Sequence, residues 1–187
     1  MDYAREASAG QAAGDNVIIT WIVTIVMPLK VIMSTVGEYF HPSREDPMDN
    51  LAVFMEYAHS DSWTIVHLAE YFGFLLLLGG LVALYYSVRA KLGAGAGLTP
   101  FGLGAGVTTA TSFTVLQAVD GIALKRAVDA WAGAPANQET AAFAAAGTVR
   151  WVEIGMNGLS KFLAGLTLFL YRIAAGLGLL YRAGQDG

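Results

Sequence analysis

The sequence predicts an all-α fold, in which a helical integral membrane protein forms a bundle of about four transmembrane helices. Charged residues make up only 14% of the 187 residues, whereas a typical soluble domain has about 25%. Mean hydropathy is +0.51. The apolar residues also fall in runs long enough to cross a bilayer, which takes about 20 residues of helix.

Four apolar runs are interpreted as spans within a single membrane domain that covers residues 1–187. The first contains Pro28 and Lys30, and membrane helices tolerate a proline where neighbouring groups satisfy the freed carbonyl. The last apolar pattern extends from near Ala141 to Tyr181, which is too long for one perpendicular crossing and leaves its register open. The predicted spans are residues 17–36, 63–88, 101–124 and 157–180.

The polar connection between the first two spans contains a short segment with a helical pattern. Residues 50–58 have the pattern of an amphipathic helix, and Asp49 or Asn50 is the expected N-cap. The sequence therefore predicts a short amphipathic helix in the first outer loop.

Composition excludes several classes of function. The net charge of −4 provides no basic face for phosphates, so no nucleic-acid partner is expected. The chain has no cysteine, which rules out disulfides, thiolate metal sites and a cysteine nucleophile. The expected partners are the lipid bilayer and either further copies of the chain or other membrane subunits. Gly102, Gly106 and Ala110 form a small-residue face for close helix association.

Basic residues near the predicted span ends indicate the orientation. Arg89, Lys91 and Arg182 lie on one side together with the N-terminus, although the opposite loops also contain basic residues. Because positive residues favour the cytoplasmic side, the sequence predicts a multi-pass protein of the cell membrane with both termini cytoplasmic.

In this topology the polar residues of all four helices lie toward the extracytoplasmic end. Ionisable groups at membrane depth are costly and usually face the bundle interior or a water-filled cavity. The sequence therefore predicts one outward-opening polar pocket. The alternative, which is common in membrane bundles, is a set of ordinary polar contacts between helices. The candidate pocket residues are Lys30, Gln117, Asp120, Asn157 and Lys161.

Two pairs of glutamate and histidine have a spacing used in metal sites. Glu56-x-x-His59 and His67-x-x-Glu70 each place a carboxylate and an imidazole one helical turn apart. Carboxylate-bridged dimetal sites in helix bundles use Glu-x-x-His units, with further carboxylates from other helices. Glu153, together with Asp120, is the candidate to complete such a set. The simpler alternative is histidines that only form hydrogen bonds, so no cofactor is predicted and a divalent metal stays open.

The four tryptophans lie near predicted span ends. Indoles at such positions commonly form belts at the membrane interface. An interfacial position is therefore expected for Trp21, Trp63, Trp131 and Trp151.

Three stretches resemble those of a group of uncharacterised bacterial polytopic membrane proteins of unknown function. They are the connection from Phe40 to Trp63, LQAVDGIALKRAVDAWA from Leu116, and AAFAAAGTVRWVEIGMNGL from Ala141. The resemblance covers the chain from Phe40 to about Leu170. It implies a membrane protein and supplies no catalytic residue. Members of the group usually continue with further spans, so a shorter relative or a truncated form is expected.

Three functions remain open at this point, and the catalytic residues are unknown. The favoured hypothesis is a non-enzymatic structural or accessory subunit, or a small-ligand binder that uses the outward-facing pocket. The alternative is a metal-dependent intramembrane enzyme that acts at the outer leaflet, where a bound metal activates water. A transporter is least favoured, because the inner half lacks polar residues and the two halves show no internal repeat.

Overall fold

The computed structural model describes residues 21, 24–26, 28–41, 46–91 and 97–184. Within these residues the secondary structure is helical, with no strand. Helix α1 covers residues 28–40, and residues 21 and 24–26 are also helical. The remaining elements are α2 (Asn50–Ala58), α3 (Trp63–Lys91), α4 (Thr99–Ala118), a π-helical segment (Val119–Leu124), α5 (Lys125–Ala132) and α6 (Glu139–Ala183).

Among the described residues, three helical stretches are long and apolar enough to cross a membrane. Only 22–39% of the residues in their most apolar windows are buried. Large side chains such as Phe162, Leu168 and Phe169 are exposed instead, and water would penalise each apolar Å² by about 25 cal/mol. These features indicate a helical membrane protein. The three stretches are Trp63–Tyr86, Thr99–Ala132 and Glu139–Gly178.

The first predicted span, residues 17–36, lies partly outside the described residues. Its described part is helical, and the helix continues to residue 40. Its assignment as a fourth span therefore stays a prediction.

Helix α2 begins where the sequence predicts. The Asp49 carboxylate accepts hydrogen bonds from the backbone N–H groups of Leu51 and Ala52, at 3.0 and 3.1 Å. This N-cap satisfies two donors that the first helical turn leaves without partners. Val53 and Phe54 on this helix are buried, so α2 contributes to the core. Its predicted amphipathic role in an outer loop stays a prediction.

The chain divides into two compact units. The first contains the described residues of Met1–Lys30 together with Leu75–Thr109 and residues 163–184. The second contains the described residues of Val31–Phe74 together with Ala110–Phe162. The predicted single membrane domain is not tested by this division and stays a prediction.

In the first unit, glycines allow close contact between helices. The Tyr171 ring lies over Gly102, so that a Cβ atom there would be 3.3 Å from the ring. At Gly106 a Cβ atom would be 2.9 Å from Leu81 Cδ1. The Tyr171 hydroxyl donates a hydrogen bond to the Leu81 carbonyl at 3.1 Å. Gly102 and Gly106 of α4 therefore pack against larger side chains of α3 and α6 within this unit.

The second unit has an aromatic core that includes two of the tryptophans. Trp63 is fully buried and Trp131 is nearly so, whereas Trp21 and Trp151 are more than 60% exposed. The indoles of Trp63 and Trp131 therefore pack against other side chains of the protein, and their position at a membrane interface stays a prediction. The buried members of this core are Val53, Phe54, Tyr57, Trp63, Leu124, Val128, Trp131 and Ala146.

Candidate polar cavity and metal centre

A cavity of about 560 Å³ lies within the second unit. Side chains from α1, α3, α4, the π-helical segment and α6 line it, together with the segments around His41 and Pro47. The charged and polar residues of the lining include Glu38, His41, Glu70, Gln117, Asp120, Arg150, Glu153, Asn157 and Lys161.

Four of the five pocket candidates from the sequence line this one cavity. They are Gln117, Asp120, Asn157 and Lys161. Lys30 is half-buried on α1; it belongs to the first unit and is absent from the lining. The pocket residues thus come together from two helices and the π-helical segment, and their role in ligand binding stays a prediction.

Carboxylates outnumber basic groups around the cavity. Among the described residues its lining has four acidic side chains, against two that are always positively charged, Arg150 and Lys161, and the titratable His41. Carboxylates that have left bulk water need compensating charge or hydrogen bonds. The cavity is therefore better suited to a positively charged ligand than to an anion.

One of these carboxylates is held by an amide. The Gln117 Nε2 atom donates a hydrogen bond to Glu70 Oε2 at 3.0 Å. Gly37 leaves room for Glu70, since a Cβ atom at position 37 would be 3.1 Å from the Glu70 Cγ. The Oε1 atom of Gln117 is buried and has no hydrogen-bond partner among the described residues. That oxygen adds a free acceptor beside the carboxylates.

The buried His67 ring has a defined orientation. Its Nδ1 atom lies 2.8 Å from the Trp63 carbonyl oxygen, so Nδ1–H donates and the neutral ring has its lone pair on Nε2. Nε2 is 3.1 Å from Asp120 Oδ2, and in the neutral ring it has no proton to donate to that carboxylate. The opposite carboxylate oxygen, Asp120 Oδ1, is also buried without a partner in the described part of the chain.

The π-helical segment and a glycine bring Asp120 to His67. A Cβ atom on Gly121 would lie only 2.5 Å from the Cβ of His67, so a larger residue does not fit at this position. Trp63 Nε1 also donates a hydrogen bond to the main-chain oxygen of Asp120 at 3.0 Å. Single π turns inside α-helices occur often at functional sites. Here the π turn carries the carboxylate that faces the buried imidazole.

His41 completes a group of three side chains that can ligate a metal ion. Its ring centroid is 5.2 Å from that of His67. One ligand atom from each of His41, His67 and Asp120 lies within 4.8 Å of the others. Two histidines and one carboxylate form a common ligand set for divalent transition metals.

The metal ligands proposed from spacing are distributed differently. Of the five candidates only His67 belongs to this group, while Glu70 and Glu153 line the cavity nearby. His59 is exposed, its Nδ1–H donates to the Met55 carbonyl at 2.7 Å, and it lines a different cavity. Glu56 is half-buried on α2. The structure therefore does not gather Glu56 and His59 into the group that contains His67.

Arg150 supports the cavity from α6. This buried side chain donates hydrogen bonds to the Tyr57 hydroxyl at 3.3 Å and to the Pro47 carbonyl at 2.9 Å. Its guanidinium also lies 5.8 Å from the centre of the Tyr57 ring, within cation–π range. Burial raises the pKa of Tyr57 above its usual value, so this phenol stays a neutral partner.

A second cavity, of about 260 Å³, has a mostly apolar lining. It shares Gln117 with the polar cavity and also contacts His67. Leu68, Tyr71 and Ile122 supply part of its apolar surface. An apolar cavity thus lies next to the polar cavity within the second unit.

Comparison with known proteins does not identify a family for this chain. No family model, curated protein or solved structure matches the chain. The resemblance to uncharacterised bacterial membrane proteins therefore stays a prediction, and the site itself is the basis for inferring a function.

Proposed function

We propose that this chain is a multi-pass protein of the cell membrane that binds a small cationic ligand in the polar cavity. It has four spans, both termini lie in the cytoplasm, and the cavity opens toward the extracytoplasmic side. Binding, rather than catalysis, is its primary activity. The observation that supports this proposal is the excess of carboxylates around one cavity.

The charges favour a cation for a physical reason. Membrane-embedded carboxylates are costly unless they are paired or hydrated. Arg150 is already engaged with Tyr57 and Pro47, so it is not free to turn fully toward the carboxylates. A bound cation supplies the missing positive charge, and its attraction to the carboxylates is strengthened by the low dielectric of the interior.

The absence of cysteine from the chain allows a direct test. A thiol is introduced as Asn157→Cys, in the cavity lining, and spheroplasts are treated with membrane-impermeant methanethiosulfonates of opposite charge. The trimethylammonium reagent should react faster than the sulfonate reagent, because the carboxylates concentrate cations. The matched control is Leu159→Cys on the same helix. Leu159 is half exposed and outside the lining, so its thiol should face lipid and react slowly with both reagents.

The outcomes separate the parts of the proposal. Equal, slow labelling at positions 157 and 159 would reject a water-accessible cavity. Fast labelling without a preference for the cationic reagent would reject the cationic ligand. Labelling at position 157 only after the membrane is permeabilised would reverse the proposed orientation.

A further inference from the structure

We propose that His41, His67 and Asp120 bind one divalent first-row transition-metal ion. This metal ion would be the cationic ligand of the proposed function, and the proposal rests on that function to this extent. Its ligands would be one ring nitrogen of His41, Nε2 of His67 and the Asp120 carboxylate.

The distances suit a shared ion. Zinc binds imidazole nitrogen and carboxylate oxygen at about 2.0–2.2 Å, so two of its ligand atoms lie about 3–4 Å apart. The three ligand atoms of this group already lie within 4.8 Å of one another. To bind an ion, the longest of these separations has to shorten toward that range.

The hydrogen bonds of His67 prepare it as a ligand. Metal-bound histidines usually donate their second ring N–H to a carbonyl or carboxylate, which fixes the ring and its tautomer. The bond from Nδ1 to the Trp63 carbonyl does this here, and it directs the Nε2 lone pair toward Asp120. His67 is only 3% exposed, and its Nε2 has no hydrogen-bond partner among the described residues.

A simple pair between His67 and Asp120 explains less of the geometry. Nε2 and Oδ2 are 3.1 Å apart, but a neutral His67 would place two acceptors against each other, and Asp120 Oδ1 is buried without a hydrogen-bond partner among the described residues. Buried polar atoms are normally satisfied, and exceptions often mark an ion or water. A metal ion satisfies both atoms and also accounts for the position of the His41 ring.

The donor types indicate which metals fit. Two imidazoles and a carboxylate suit zinc, iron or manganese, whereas magnesium and calcium prefer oxygen ligands alone. Three protein ligands leave at least one coordination position open. Since His41 and Asp120 both line the polar cavity, that position is available to a water molecule or to a ligand in the cavity.

The first experiment uses Co²⁺ as a spectroscopic probe. The detergent-purified full chain is stripped with a chelator and titrated with Co²⁺, whose visible absorption reports its ligands, and Zn²⁺ is then added as a competitor. One ion per chain is expected. His41→Gln, His67→Gln and Asp120→Asn should each weaken binding by more than about 100-fold, since even outer-shell changes commonly cost 10–100-fold. His59→Gln is the matched control and should bind like the parent.

A second measurement guards against misfolded variants. Asp120→Asn keeps the side-chain size and the main-chain oxygen that accepts the Trp63 hydrogen bond, so its helical circular dichroism should be unchanged. Zn²⁺ should raise the Tm of the parent but not of Asp120→Asn. The metal site is overturned if the parent binds no Co²⁺, or if folded Asp120→Asn binds it as tightly as the parent.

The two proposals can fail separately. The thiol labelling of Asn157→Cys is carried out on spheroplasts washed with a chelator and does not depend on the metal ligands. Charge-selective labelling without Co²⁺ binding leaves the cation-binding cavity and removes the metal site. Co²⁺ binding without labelling leaves the metal site and removes the water-accessible cavity.

Discussion

The indole Nε1 of Trp63 donates a hydrogen bond to the main-chain oxygen of Asp120, with the two atoms 3.0 Å apart. This bond joins the first residue of α3 to the π-helical segment. The Trp63 ring also packs against Tyr57 and His67, with ring centroids 4.0 and 4.5 Å away. The same indole is therefore a core residue of the second unit and a positioning residue for the candidate site.

Trp63→Phe should destabilise the protein, because it removes this donor and reduces the buried aromatic volume. A buried polar group that loses its partner costs about 1–3 kcal/mol, and we expect a loss of that size in the free energy of unfolding in mixed micelles. Trp151→Phe serves as the control, since the exposed Trp151 side chain should contribute little. Equal effects of the two changes would contradict the role assigned to Trp63.

Gly121→Ala should disturb the site directly. The new Cβ would lie 2.5 Å from the Cβ of His67, so α3 and the π-helical segment must separate. Overpacking of this kind costs about 1–3 kcal/mol, and Co²⁺ affinity should fall with it. Gly147→Ala has no atom within 4 Å of the new methyl group and should stabilise α6 by up to about 1 kcal/mol. Parent-like stability and Co²⁺ affinity in Gly121→Ala would refute the close approach.

Gly106→Leu should destabilise the first unit. Even a Cβ atom there would be 2.9 Å from Leu81 and 3.4 Å from Thr167, so a leucine forces α4 away from its neighbours at a cost of about 1–3 kcal/mol. Gly104→Leu is the control on the same helix, because no atom lies within 4 Å of its Cβ position. The prediction is checked by Tm in detergent, and a larger loss at position 104 than at 106 would contradict it.

Arg150→Lys should not be tolerated as a conservative change. Lysine has no planar fork of N–H groups and cannot reproduce both bonds, to Tyr57 and to Pro47. Hydrogen bonds to charged groups contribute about 1.5–3 kcal/mol, and we expect a loss in this range on thermal unfolding. Arg126→Lys, at an exposed position on α5, should have almost no effect. If the two variants unfold alike, the buried arginine has no structural role.

The convergence of polar residues could be predicted because charge inside a membrane is so costly. Gln117, Asp120, Asn157 and Lys161 lie in or beside apolar runs, and polar residues at such positions usually face the bundle interior or a water-filled cavity. These residues line one cavity. The N-cap at Asp49 could also be predicted from the sequence, because capping depends on the residues next to the helix start.

The metal ligands could not be predicted in the same way. Spacing of i, i+3 places two residues on one face of a helix, but it does not tell which faces of different helices meet. His41 follows α1 outside the apolar runs, and only the folded connection brings its ring near His67. The π turn at Asp120 also has no clear sequence pattern. The one available signal is Gly121, a residue without a side chain between Asp120 and an apolar run.

Gln117 has a consequence of its own for the electrostatics of the second unit. Its side chain lines both the polar cavity and the apolar cavity, and its amide donates a hydrogen bond to Glu70 at 3.0 Å. Shortening this side chain would remove the hydrogen bond to Glu70 and open space beside it for water. Because water screens charge more strongly than the protein interior does, the field that Glu70 and Asp120 exert on a ligand in the cavity would then be weaker.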